Sequence, residues 1–205
     1  MNQLNPELTS VRRWIIFFDV VKIVFIATIV VGIVRFFIAQ PFLVSGDSMV
    51  PTFYPNDYLV IDELTYERHL PQYGDVVVFH YPLDPSIYFI KRIIGLPGDT
   101  VVVTNGNVFV RSGKGIQRLL TEPYVNPGVA KEQFGTTTLG VDEYFVLGDN
   151  RNSSFDSRVW GPVPRRYIVG RAFVRIYPFT HETLYRAAVG ATSTPVVPPT
   201  LSTGR

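Results

Sequence analysis

Tyr88-Phe89-Ile90-Lys91-Arg92-Ile93-Ile94, the turn Gly95-Leu96-Pro97-Gly98-Asp99, then Val101-Val102-Val103, Asn105-Gly106 and Val108-Phe109-Val110 decide how the chain folds. Three short runs rich in Val, Ile, Phe and Tyr are split by Gly, Pro and Asn, which is strand–turn–strand punctuation. Asn105-Gly106 between two valine-rich runs predicts a tight hairpin, because both residues tolerate the positive φ angles such a turn needs. Working outward, Tyr58–Ile61, Asp75–Tyr81, Tyr144–Leu147 and Gly170–Tyr177 have the same character, and Pro55-Asn56-Asp57 is another turn signal. No long helical period follows residue 41. The expected fold is mainly β, built of short antiparallel strands. Residues 100–141 are looser and richer in Gly, Pro and Thr, and are expected to form a β-ribbon lobe inserted in the main domain.

The N-terminus reads differently. Trp14 to Phe37 is an apolar stretch interrupted by Asp19, Lys22 and Arg35. As a helix it would be about 36 Å long, enough to cross a bilayer with some tilt. Lys22 and Arg35 can snorkel towards opposite headgroup layers, and Asp19 lies one turn before Lys22. A buried core helix fits poorly with its place ahead of a chain of strands. A cleavable leader fits poorly with the bulky Phe36-Phe37-Ile38-Ala39-Gln40-Pro41, which lacks a small-x-small site. The expectation is a retained anchor over residues 14–38, with 1–13 cytoplasmic and 39–178 an extracytoplasmic domain. Arg12 and Arg13 precede the helix, whereas Asp47, Asp57, Asp62 and Glu63 follow it, which sets that orientation. Residues 179–205, with Thr-Ser-Thr-Pro and Pro-Pro-Thr, are expected to be a disordered tail with no second apolar span.

Composition narrows the chemistry. The chain has 205 residues, no cysteine, three histidines and a net charge of +2. Disulfides, thiolate metal sites and a cysteine nucleophile are excluded. His69, His80 and His181 are far apart, so no metal site is expected, nor any cofactor. No basic run marks a nucleic-acid partner.

Three stretches carry candidate chemistry. In Ser45-Gly46-Asp47-Ser48-Met49-Val50-Pro51-Thr52, a serine in a Pro-containing turn can project its hydroxyl into a cleft and turn its N–H towards an oxyanion. In Phe89-Ile90-Lys91-Arg92-Ile93-Ile94, alternation puts Phe89, Lys91 and Ile93 on one face. Lys91 reads either as an edge-strand lysine or as a desolvated amine able to act as a base. Gly148-Asp149-Asn150-Arg151-Asn152-Ser153-Ser154-Phe155-Asp156-Ser157-Arg158 is dense in side chains that need hydrogen-bond partners, including an Asp156–Arg158 pair. A Ser–His–Asp triad through His80 stays open on the residues alone, although nothing in the sequence ties His80 to Ser48.

Together the N-terminal apolar helix, Ser48-Met49-x-Pro51-Thr52, Gly74-Asp75-Val76-Val77-Val78-Phe79, Lys91–Asp99 and Gly148-Asp149-Asn150 with Ser154, Asp156-Ser157-Arg158 and Gly161 resemble the type I signal peptidases in content and order. The resemblance covers most of residues 41–175 outside the looser lobe. It implies a signal-peptidase-like β-fold and a membrane-bound serine endopeptidase working through a Ser–Lys dyad. Ser48 would be the nucleophile and Lys91 the base. Ser154 would hydrogen-bond the lysine amine, with Asp149, Asp156, Arg158 and Arg92 supporting the site. Phe42, Val44, Met49, Phe53, Phe89 and Ile90 match positions that build pockets for small −1 and −3 substrate side chains. The implied partners are precursors bearing signal peptides and the lipid bilayer, and the implied location is the plasma membrane, crossed once. Gly46 departs from branches that carry a serine there to complete the oxyanion hole, and Phe53 stands where leucine is common. Lys91, rather than histidine, points to a bacterial or organellar branch. The rival readings are another Ser–Lys processing protease of related fold and a catalytically silent, membrane-tethered β domain.

Overall fold

The computed structural model describes residues 6–37, 40–113, 115–125, 135–177 and 194–195. The chain divides into two units, residues 1–40 and 41–205. The first holds the helix α1 (Pro6–Phe37). Within it, Arg13–Gly32 is long and apolar enough to cross a membrane, with a mean hydropathy of 2.5 and none of it buried. A helix of this length and composition fits a lipid environment.

The second unit is built on two antiparallel sheets. β1 (Gln40–Leu43), β2 (Tyr58–Asp62), β3 (Val76–Tyr81), β4 (Asp84–Gly95), β9 (Glu143–Leu147), β10 (Val163–Pro164) and β11 (Ile168–Tyr177) form a seven-stranded sheet in the order β1-β2-β11-β3-β4-β9-β10. β5 (Asp99–Thr104), β6 (Asn107–Ser112), β7 (Arg118–Leu119), β8 (Gly135–Thr138) and β12 (Thr194–Pro195) form a smaller sheet in the order β12-β7-β6-β5-β8. Two short helices, α2 (Thr65–Arg68) and α3 (Ser157–Trp160), sit in the connections.

Each strand foreseen from sequence is present, and β4 is longer than expected, starting at Asp84 instead of Tyr88. The Asn105-Gly106 turn joins β5 to β6 with φ angles of 52° and 77°, and Thr104 pairs with Asn107. The looser stretch after residue 99 supplies four strands of the smaller sheet, a fuller structure than a two-stranded ribbon. The expected disordered tail lies outside the described residues except for Thr194 and Pro195, which pair with Leu119 and Arg118.

The apolar run of β3 explains why the large sheet is covered on both faces. Val76 and Val78 pack with Val44, Met49, Phe53, Leu59, Ile61 and Ala172, whereas Val77 and Phe79 pack with Ile93, Tyr144, Val146 and Ile168. Alternation sends neighbouring side chains into opposite clusters, so a continuous apolar strand is the pattern a doubly covered sheet requires. A third cluster, with Val101, Val103, Val108, Val110, Ile94 and Phe145, joins the two sheets. Two buried carboxylates, Asp75 and Asp57, are tied down rather than left bare. Asp75 accepts from the Tyr66 hydroxyl (2.7 Å) and the Gln72 N–H (2.9 Å), and Asp57 accepts from Arg175 (2.8 Å).

Candidate active site

The central observation lies on β4. Val77 pairs with Lys91 and Val76 with Arg92, so two successive cations of one strand enter the interior of the domain. Lys91 is 4% exposed and Arg92 is fully buried. Each charge is handled differently. Arg92 donates from Nε to Asp149 Oδ1 (2.8 Å) and from Nη2 to Asp149 Oδ2 (2.6 Å), a bidentate pair with neither side chain exposed. Its Nη1 donates to the Gly74 carbonyl (2.8 Å), and the Thr52 hydroxyl donates to Asp149 Oδ2. Guanidinium stays protonated, so burying it requires such a carboxylate. Among the described residues, Lys91 makes no ion pair of this kind. Burial depresses its pKa from 10.5 to about 8, while the charges of Asp156 and Asp149 pull the other way. Desolvation therefore dominates, and the amine is neutral in about one molecule in ten at pH 7.

Lys91 Nζ lies 2.8 Å from Ser48 Oγ and 2.9 Å from the Ile90 carbonyl. Protonated, the amine donates to Oγ; neutral, it accepts the hydroxyl proton across the same distance. Ser48 is held in a turn closed by Val50 N–H to the Asp47 carbonyl (3.1 Å) and Phe53 N–H to the Met49 carbonyl (2.9 Å). The loop after β9 clamps this turn from the other side. Asn150 N–H donates to the Ser48 carbonyl (3.0 Å), Asn150 Nδ2 to the Asp47 carbonyl (3.2 Å), and Ser153 Oγ to Asp47 Oδ1 (3.0 Å). The loops touch at Gly148, where a Cβ would come within 2.2 Å of Ser154 Oγ and 2.5 Å of the Ser48 carbonyl oxygen. Only glycine permits that approach.

Asp156 organises the same loop. It accepts from the Gly148 N–H (3.1 Å) and from Arg158 Nε (2.8 Å), while Arg158 Nη2 also donates to the Arg151 carbonyl (2.7 Å). The expected Asp156–Arg158 pair is thus formed, and it braces the backbone of this loop. Ser154 corrects an implied contact. Among the described residues its buried Oγ has no hydrogen-bond partner, while the Lys91 amine bonds to Ser48 and the Ile90 carbonyl.

A cleft of about 100 Å³ opens beside the pair. Phe42, Val44, Phe89 and Ile90 line it with Ser48 and Lys91, joined by Leu43, Ser45, Leu59, Val78 and Tyr88. Met49 and Phe53 do not line it. Each is 1% exposed and packs behind the wall with Val44 and Leu59, since the turn that presents Ser48 folds these two side chains back into the core. Gly46 brings no side chain, whereas Ser45 faces the cleft. His80 is engaged elsewhere, with its ring nitrogen 2.6 Å from the Pro85 carbonyl and its ring centroid 4.3 Å from that of Tyr88. Among the described residues, no cluster of three or more His, Cys, Asp or Glu could hold a metal ion. Sequence reasoning missed the parts played by Thr52, Asn150 and Gly148. All lie in the quoted motifs, but their partners are about 100 positions away along the chain.

The geometry sets a serine hydroxyl beside a buried amine at the end of an apolar cleft. The family described as "Signal peptidase, peptidase S26" matches residues 17–177. Among curated relatives, a probable signal peptidase I-1 from Synechocystis sp. is 39% identical over 167 residues, covering 77% of this chain and 81% of that one. A signal peptidase I from Leptolyngbya laminosa is 41% identical over 152 residues, covering 71% and 72%. The crystal structure of a signal peptidase I from Enterococcus faecalis V583 is 30% identical, covers 50% of this chain and 97% of that one, and has a TM-score of 0.41. The chain belongs to the peptidase S26 family of signal peptidases.

Proposed function

We infer that this protein is a membrane-bound serine endopeptidase that removes N-terminal signal peptides from exported precursor proteins. The observation that carries the mechanism is the 2.8 Å approach of Lys91 Nζ to Ser48 Oγ, made by a lysine that burial holds near pKa 8. Neutral Lys91 takes the Ser48 proton as Oγ attacks the substrate carbonyl, and the Ser48 N–H receives the developing oxyanion. The resulting ammonium returns the proton to the leaving amine as the peptide C–N bond breaks. The acyl-enzyme ester is then cleaved by water that Lys91 deprotonates, which releases the signal peptide and restores Ser48.

The cleft supports a preference for small residues. About 100 Å³ bounded by Phe42, Val44, Phe89 and Ile90 has room for small apolar side chains, and an extended substrate presents its −1 and −3 positions to the same wall. Asp149, Arg92, Asp156 and Arg158 support the two loops that present Ser48, and Ser154 Oγ beside Gly148 is a reserve partner for the amine when Ser48 is acylated. α1 is the anchor, with residues 1–13 cytoplasmic and residues 39–178 on the outer face of a plasma membrane crossed once. A covalent tether to the layer in which the precursor's signal segment is embedded raises the effective concentration of both.

Cleavage of a precursor carrying Ala-x-Ala, by the wild type and by purified, folded Ser48→Ala, tests the assignment. Ser48→Ala is expected to lose cleavage by at least about three orders of magnitude, as for removal of any group acting in the covalent step. Substantial residual cleavage would remove Ser48 as the nucleophile.

A further inference from the structure

Residues 120–125, which follow β7, reach from the smaller sheet towards the loop after β9. Leu120 N–H donates to the Val108 carbonyl (2.9 Å), which fixes the start of the segment on β6. Beyond it, both carboxylate oxygens of Glu122 accept from Arg151, from Nη1 at 2.9 Å and from Nη2. The side chains of this pair are only 3% and 9% exposed. Tyr124 donates its hydroxyl to Glu122 Oε1 (3.1 Å) and lays its ring 3.9 Å from the Arg92 guanidinium carbon. Arg151 carries the contact inward, donating from Nε to the Gly148 carbonyl (3.0 Å). Gly148 is where the loop meets Ser48, and the adjacent Asn150 N–H holds the Ser48 carbonyl.

We propose that Glu122 and Arg151 are positioning residues for peptide-bond cleavage: the pair anchors the smaller sheet to residues 148–151 and thereby sets where the Ser48 turn holds its hydroxyl against Lys91. This rests on the reading of Ser48 and Lys91 as the reacting pair. A guanidinium has one plane of donors for two tasks, a fork for the Glu122 carboxylate and a third N–H for the Gly148 carbonyl. Lysine can keep the charge but cannot supply that fixed arrangement. The chain uses this rigidity because the attack geometry of Ser48 is sensitive to displacements well below the size of an atom.

The test compares full-chain wild type, Glu122→Gln and Arg151→Lys in detergent on a peptide carrying an Ala-x-Ala site. kcat, KM, the pH profile and the melting temperature are recorded for each. Both variants are expected to lose about 10- to 100-fold in kcat per folded molecule, as a displaced reacting group would. KM should stay within about twofold, because neither residue lines the cleft. The kinetic pKa should remain near 8, because the burial of Lys91 is untouched. General loosening of the domain would instead rehydrate Lys91 and raise that pKa towards 10.5. Such a rise, or wild-type kcat in folded Arg151→Lys, would overturn the proposal. Cleavage surviving in Ser48→Ala would overturn it together with the reading it rests on. An inactive Ser48→Ala beside wild-type kcat in Arg151→Lys would overturn the proposal alone.

Discussion

With Lys91 proposed as the base, its environment is expected to set the pH dependence of cleavage. A base that titrates near 8 is protonated below that pH, so kcat/KM is expected to fall about tenfold per pH unit on the acid side and level off above it. A kcat/KM still climbing steeply above pH 10 would show that the amine is hydrated. The same burial has a consequence for stability. The folded chain releases this proton near 8 and the unfolded chain near 10.5, so between those values the unfolded state holds more protons and stability rises with pH. Below pH 8 the cost of burying the charge is present in full, on the order of 3 kcal/mol. Lys91→Met should therefore be more stable than the wild type at pH 7, and its advantage should shrink by about that amount between pH 8 and 10.5. Denaturant titrations across this range measure both. The lysine was visible in the sequence as a cation between apolar neighbours on one face of a strand. Its partner was not, because a strand pattern gives a face but not the loop that lies over it. Ser154 shows the limit from the other side: the family resemblance implied a bond to the amine, and among the described residues its Oγ makes no hydrogen bond.

Strand identities were legible because Val, Ile and Phe runs bounded by Gly, Pro and Asn leave the backbone few alternatives. What they left open was depth. Met49 and Phe53 belong to the motif that presents Ser48, yet the turn that exposes the serine necessarily drives its neighbours inward, to 1% exposure each. Ile90 of β4, by contrast, is half-buried and borders the cleft. Ile90→Ala should therefore widen the cleft and admit Val or Leu at −1 or −3. The expected shift in kcat/KM relative to Ala substrates is about 10- to 200-fold, the range for methylene-scale changes in an apolar pocket. Phe53→Leu should instead act on the core, costing about 1–2 kcal/mol of stability, with little change in preference. Competition between Ala and Leu substrates distinguishes the two variants. A specificity change confined to Phe53→Leu would reverse this assignment of the wall.

At the scale of the whole molecule, the apolar segment Arg13–Gly32 and the β unit are parts that the sequence separates cleanly, by helical hydropathy on one side and strand punctuation on the other. The smaller sheet was less legible, since Thr136–Thr138 and Arg118-Leu119 carry too little apolar periodicity to declare themselves strands before their partners are known. Removing residues 1–38 should leave kcat/KM on short peptides within about threefold of the full chain, while slowing cleavage of membrane-inserted precursors by an amount set by the lost effective concentration. Vesicle-embedded and soluble substrates assayed side by side would show it, and equal rates on both would leave the anchor without a part in catalysis. The adjacency of Lys91 and Arg92 on β4 has a consequence for a cell that must manufacture a protease. A slip of one residue in the pairing of β4 with β3 moves Arg92 into the place of Lys91 and Ile93 into the place of Arg92. It would set a guanidinium that cannot give up its proton beside Ser48, and strand the Asp149 carboxylate in the core with no mate. The misthreaded chain would thus be both chemically inert and thermodynamically disfavoured, so quality control over the enzyme's power to cut is written into two neighbouring codons.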